Sequence, residues 1–359
     1  MVDALVAGHI CLDIIPGFES RVTFDPGRLI EVGAAQLSTG GVVSNTGQAL
    51  HRLGVITGLC GKIGDDLFGK AVCEVLERTG SGLSAGMAVS DQDSTSYSVV
   101  ISLTGEDRMF LHYPGCNDTF TSADVSDDRI RRTRLMHFGY PTLMAKMHED
   151  GGRELVSLFK RAKDLGVTTS LDMSLPDLSG AAAQANWYQI LEQVLPYTDL
   201  FLPNAEELFF MLEREGFLDH GRQPIPKMKI EELTERALTM GAQVVGVKAG
   251  TLGLYLAARS EFGDIGHALP INASEWRGCR VWTPCFAVDV AGTTGAGDAT
   301  VAGLLMGWLH SFCPEDAARA AVAVGACSCE GHDAISGIRS WAETEERIQK
   351  GWPTLTVTA

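Results

Sequence analysis

"RLMHFG" (residues 134–139), "GGRELVSLFKRAKDLG" (151–166), "VTTSLDM" (167–173), "NWYQILEQVLPYT" (186–198) and "DLFLP" (199–203) follow one another with short connections. The first, third and fifth are short and carry apolar residues without helical spacing, the pattern of strands in a sheet. The second and fourth carry apolar residues at helical spacing. Strands alternating with helices predict a mostly parallel, doubly wound α/β sheet with helices on both faces.

The rhythm extends both ways. Upstream, "DALVAGHICLDII" (3–15) reads as a first buried strand and "NTGQALHRLG" (45–54) as a helix closed by Gly54. "VITGLCGKIG" (55–64) reads as a strand, and "DDLFGKAVCEVLERTG" (65–80) as a helix with acids first and Arg78 near its end. Downstream, "NAEELFFMLEREG" (204–216) and "IEELTERALTMG" (230–241) predict helices. "AQVVGVKAG" (242–250), "TLGLYLA" (251–257) and "RVWTPCFAV" (280–288) predict strands. Helices follow at 297–312 and 314–329, with a short polar one at 341–350. Two stretches break the alternation. "TSYSVVISL" (95–103) and "RMFLHY" (108–113) alternate strictly around "TGED", a hairpin signal. Residues 14–38 carry Pro16, Gly17, Pro26 and Gly27 around the alternating "RVTF". Together, about 14–38 and 94–117 predict a small β-sheet lid on a single α/β domain of residues 1–350, with 351–359 as a tail.

Composition narrows the function classes. The formal net charge is −16, which argues against nonspecific nucleic-acid binding, since that needs a basic footprint. It leaves room for anionic small ligands held by one local positive field. No apolar run approaches the roughly 18 residues of a membrane span. The start, "MVDALVAGHICLD", has no basic segment and carries Asp3, unlike a secretory leader. Nine scattered cysteines without a C-x-x-C predict free thiols in a reducing, cytoplasmic setting.

The chemistry concentrates in "AGTTGAGDATVAG" (291–303). Gly292, Gly295 and Gly297 lie between a predicted strand and a predicted helix, and Asp298 closes the run. Dense glycine costs backbone entropy and is tolerated where positive φ is needed or a ligand meets the backbone. Free N–H groups and the dipole at a helix N-terminus make an anion site. The loop is not a P-loop: it lacks the lysine, and "GLCGKIG" has the wrong spacing. Nor is it G-x-G-x-x-G in the first βα turn. What remains is a phosphate cradle with one carboxylate at its lip. In phosphoryl transfer that carboxylate takes the proton of an attacking hydroxyl. The plain alternative is an aspartate placed in a first helical turn by the dipole alone.

"GTTGAGD" (292–298) followed by a small-residue helix resembles the C-terminal signature of the ribokinase (pfkB) family of carbohydrate kinases. "GGVVSNTGQALHRLGVITGLCGKIGDDLFG" (40–69) resembles that family's N-terminal signature. "GHICLD" (8–13), "PNAEE" (203–207) and "VKAGTLG" (247–253) match further motifs in the family's order. The resemblance spans roughly residues 4–337. It implies a ribokinase-like fold, ATP and Mg²⁺ as donor and ion, and pairing of two copies through their lids. It also implies roles. Asp298 is the base, and the N–H groups of Gly295, Ala296, Gly297 and Asp298 are the anion hole. Asn204 and Glu207 act through water on Mg²⁺ and phosphate, and Lys248, Gly250 and Gly253 border the nucleotide. Asp13, Gly41 and Asn45 hold sugar hydroxyls. Each has a duller alternative: Asp13 as a turn residue, Asn204 with Glu207 as a helix capping box, Lys248 as a solvated lysine.

The departures bear on the substrate. Gly292 stands where the family has Asp or Asn, a residue that in several members helps hold a monovalent cation, so the resemblance carries no potassium site onto this chain. The family's "D-P-N" reads Asp172-Met173-Ser174, and Val42 stands where ribokinase has lysine. Tyr97, His112, Asn117, His137 and Tyr140, from the lid and strand ends, are further candidates for sugar contact. The implied reaction is phosphorylation of a primary hydroxyl of a small sugar. Two rivals stand beside it: a nucleoside kinase whose base rests on Phe18, Phe24, Phe110 or Tyr113, and a non-catalytic sugar- or nucleotide-binding protein.

Overall fold

The computed structural model describes residues 1–18, 22–23, 25–103, 109–221 and 223–355; Phe24 lies outside them. In chain order the strands are β1 (Val2–Gly8), β2 (Cys11–Gly17), β3 (Gly33–Gly40), β4 (Thr57–Cys60), β5 (Lys62–Gly64), β6 (Ala88–Ser90) and β7 (Tyr97–Ile101). They continue as β8 (Met109–Tyr113), β9 (Thr133–Gly139), β10 (Thr168–Asp172), β11 (Leu200–Phe201), β12 (Val244–Lys248), β13 (Leu254–Ala258) and β14 (Arg280–Thr283).

Eight strands form the main sheet in the order β14-β13-β12-β11-β10-β9-β1-β4. From β4 to β12 all pairs are parallel; β13 and β14 are antiparallel additions at one edge. Side-chain alternation divides each strand between two cores. Ala4 and Val6 of β1 enter one, and Leu5 and Ala7 the other. The helices Val42–Arg52, Ala296–Leu309 and Pro314–Cys329 cover the first core. Arg153–Asp164, Trp187–Val194, Ala205–Leu212 and Lys227–Met240 cover the second. The result is the three-layer α/β arrangement that the rhythm predicts. Among the described residues no helix is long and apolar enough to cross a membrane.

A separate four-stranded sheet, β3-β2-β7-β8, stands off the main one. Its strands begin at Cys11 and end at Tyr113. The predicted first strand, 3–15, is therefore two: β1 ends at Gly8 (φ 127°), and the chain crosses into the small sheet as β2. Asn117 fixes the crossing, accepting from Ile10 N (3.2 Å) and donating to Ile10 O (2.9 Å). The predicted strand 55–64 likewise divides into β4 and β5, and β14 stops at Thr283, before Pro284. The predicted helix 204–216 breaks at Glu213, whose carboxylate meets Lys229 (2.8 Å) and Arg236. Past residue 350, Trp352 is packed: it stacks on Phe286, with ring centroids 4.5 Å apart, and donates to Ala287 O (2.8 Å).

Candidate active site

The site gathers at the ends of β1, β9, β10 and β12, where two helices begin. Gly295 caps the helix Ala296–Leu309 in the left-handed region (φ 77°). A Cβ there would lie 2.4 Å from the Cβ of Ala334 and 2.7 Å from its Cα, so both space and backbone demand glycine. The first N–H groups of a helix have no carbonyl one turn back. Here the N–H of Ala296 turns to Thr293 O (3.2 Å), and Gly297 and Asp298 complete the opening turn. Gly295→Ala is expected to displace this turn and lower kcat by about 10²–10³, the scale of losing an oxyanion donor, with helical content unchanged by circular dichroism. Full activity in that variant would remove the loop from the chemistry.

Asp298 is 3 % exposed, in the first turn of that helix. Three side chains donate to it: Asn45 Nδ2 to Oδ2 (3.0 Å), Thr46 Oγ1 to Oδ1 (3.2 Å), and the Tyr140 hydroxyl at 2.8 Å from both oxygens. Asn45 and Thr46 open the helix Val42–Arg52, which starts from Gly41 (φ 85°). A Cβ on Gly41 would strike His9 Nδ1 at 2.4 Å. Burial raises the Asp298 pKa, while Asn45, Lys248, Tyr140 and Thr46 pull it back.

Beside it lies a second charged group. Lys248 Nζ donates to Asp172 Oδ1 (2.6 Å) and lies against Gly297, where a Cβ would come within 3.9 Å of the ammonium. Asn204 and Glu207 form a capping box for the helix Ala205–Leu212, and Asn204 bridges to Lys248 across the strand ends. Burial pushes Asp172 up to about 6 and Glu207 up to about 8, with Lys248 opposing both. Burial works against the charge on Lys248, but Asp172, Glu207 and Asp298 outweigh it and raise its pKa. Gly250 (φ 55°) and Gly253 (φ 98°) flank the β12–β13 turn beside this group.

The predicted sugar side approaches from the small sheet. Asp13 on β2 packs on Gly40 and accepts from Cys11 Sγ (3.3 Å). His112 on β8 bonds Ser98 Oγ (3.0 Å) and meets His9 Nε2 to Nε2 (3.4 Å). Burial, then His112, lowers His9 to about 3, and burial lowers His112, so both imidazoles are neutral at pH 7. The His9 and Tyr140 ring centroids are 6.2 Å apart. His112, His9, Tyr140 and Asp298 thus form one line from small sheet to loop. Tyr97 sits among Phe68 and Tyr113 (5.4 and 5.6 Å).

Two candidates are held in structural bonds, and His137 is close enough to the charged group for Lys248, after burial, to lower its pKa. Asn117 is wholly buried with its amide spent on Ile10, so it holds the crossing rather than facing a ligand. His137 is wholly buried within β9 and bonds Ser170 Oγ (2.9 Å). Sequence reading missed Thr46 and His9, and it treated Asp172 only as a departure from a motif. Thr46 and His9 adjoin residues that were singled out; Asp172 is the last residue but one of a predicted strand, and α/β sites collect at strand ends.

A family model for pfkB carbohydrate kinases matches residues 1–341. Fructokinase-2 of Oryza sativa subsp. japonica is 25 % identical over 362 residues, covering 96 % of this chain and 93 % of its own. The structure of Arabidopsis thaliana ribokinase complexed with ribose and ATP superposes with a TM-score of 0.73 at 19 % identity, covering 96 % of this chain and 98 % of that one. The Methanocaldococcus jannaschii nucleoside kinase, a ribokinase-family member, gives 0.70 at 18 %, covering 98 % and 99 %. The match across the chain, on a large mostly parallel sheet with a separate small one, establishes that this protein belongs to the pfkB family and is a carbohydrate kinase.

Proposed function

We propose that the protein transfers the γ-phosphoryl group of ATP to a primary hydroxyl of a small sugar, with Asp298 as general base. The carrying observation is a buried carboxylate in the first turn of a glycine-capped helix, facing a neutral polar wall. The acceptor's oxygen forms a bond to γ-phosphorus, the bond to ADP breaks, and the acceptor's proton passes to Asp298. The opening turn, Gly295 to Asp298, stabilises the phosphoryl charge. Asp13, Gly41, Asn45, His112 and Tyr97 orient the sugar, and Gly250 and Gly253 border the nucleotide. The small sheet acts as a lid that excludes water.

The acid cluster suits a hydrated hard cation. Asp172 Oδ2 is buried without a hydrogen-bond partner, and Glu207 adds a further oxygen donor. Asp172 and Glu207 would hold Mg²⁺ through water, and the ion would there offset the phosphate charge of ATP. Gly292 offers no side-chain oxygen, so turnover is expected to be indifferent to K⁺. Leu37, Met109, Phe110, Leu111 and Tyr113 are exposed on β3 and β8, the edges of the small sheet, and support pairing of two copies there. Nine free thiols agree with a cytoplasmic setting.

The test is ADP release with MgATP across pentoses, hexoses, sugar acids, sugar phosphates and nucleosides, with and without K⁺. Turnover on a free sugar is expected. Turnover on nucleosides alone would favour the second reading, in which Phe110 and Tyr113, exposed on β8, receive a base. ATP binding without turnover on any acceptor would overturn the kinase reading.

A further inference from the structure

The hydroxyl of Tyr140 lies 2.8 Å from each oxygen of Asp298. One phenolic proton cannot make two full bonds, so this oxygen spans the mouth of the carboxylate. An ionised carboxylate offers about four lone-pair sites. Asn45 and Thr46 each take one, on opposite oxygens, and the Tyr140 hydroxyl covers the space between. An acceptor hydroxyl that is to lose its proton to Asp298 needs a site on the same two oxygens.

The backbone holds the ring there. Tyr140 follows the last residue of β9 in the left-handed region (φ 62°, ψ 42°), uncommon for a bulky side chain. Its N–H donates to Asp172 O (3.3 Å), and buried Pro141 follows. Its ring faces His9, on the sugar side.

We infer that Tyr140 is a stand-in for the acceptor: before a sugar arrives, its hydroxyl occupies the acceptor's seat on Asp298 and keeps water off the base. This rests on the kinase reading above. A bare Asp298 beside bound ATP could take a proton from water as it does from a sugar. The water oxygen would then bond to γ-phosphorus, the bond to the leaving ADP oxygen would break, and Asp298 would gain the proton. A sugar displaces Tyr140 because its other hydroxyls are anchored at Asp13 and Asn45; a lone water has no such anchor.

The experiment compares ADP release with and without the preferred sugar in wild type, Tyr140→Phe and Tyr140→Phe/Asp298→Asn. In Tyr140→Phe the ratio of sugar-independent hydrolysis to sugar-dependent turnover is expected to rise at least about tenfold, a small part of the ~10²–10⁴ that a positioned base supplies. The rise in Tyr140→Phe is expected to vanish in the double variant. A ratio unchanged or lowered in Tyr140→Phe overturns the inference, as does a rise that survives loss of Asp298. A wild type inert on every acceptor overturns the kinase reading instead.

Discussion

Asp298→Asn is expected to lower kcat by about 10²–10⁴, the range a positioned general base contributes, while the KM for ATP changes little. Asparagine keeps the size and can still accept from Thr46, so the fold is retained and the loss is chemical. The pH profile supplies a second check. Only the ionised carboxylate can take the acceptor's proton, so activity falls as pH drops through its pKa. Burial raises that pKa, so the acid limb should lie above the ordinary carboxylate range near 4. The limb should disappear in Asp298→Asn, whose residual activity should be flat there. A variant with wild-type kcat, or one that keeps the same acid limb, would show that another group takes the proton.

The order of strands and helices was legible because burial on both sheet faces writes itself as short apolar runs between amphipathic helices. The small sheet was legible as a hairpin signal, but its first strand was hidden. Apolar residues run from Ala4 through Ile15, interrupted only by Gly8, His9 and Asp13. Nothing local says that the chain changes sheets at His9; a distant amide, Asn117, decides it. The glycine loop was readable because its conformational demands are local. The groups that meet it were not. Tyr140 was singled out, yet its bond to a residue 158 positions away depends on where β9 ends. Lys248 was weighed as a solvated surface lysine; only the fold brings it to Asp172, 76 positions away.

That ion pair governs a large part of the site's stability. Lys248 and Asp172 have side-chain exposures of 13 % and 1 %, and Glu207 and Asp298 lie in the same charged group. Among the described residues, Lys248 faces the carboxylates of Asp172, Glu207 and Asp298. Lys248→Met keeps the aliphatic stem but leaves the acids uncompensated, and breaking a buried pair in this way costs about 3–5 kcal/mol. The cost depends on pH. Burial raises Asp172 to about 6 and Glu207 to about 8, so the folded state binds protons that the unfolded state releases. Stability from such groups is fully present below their unfolded pKa values near 4 and is lost as pH rises through the folded ones. Without the lysine both folded values rise further, so the ligand-free variant should lose more stability between pH 6 and pH 8 than wild type does. Urea unfolding at the two pH values measures this directly. Replacing the partner as well, in Lys248→Met/Asp172→Asn, removes the stranded charge and should recover most of the loss at pH 8. Equal stability of Lys248→Met and wild type at pH 8 would mean that the acids are already protonated there and that Lys248 holds no charge in place. Recovery of stability in the double variant without recovery of turnover would separate two duties of this lysine. One is to make the acid cluster tolerable in the fold; the other is to place positive charge against Gly297, at the mouth of the phosphate loop.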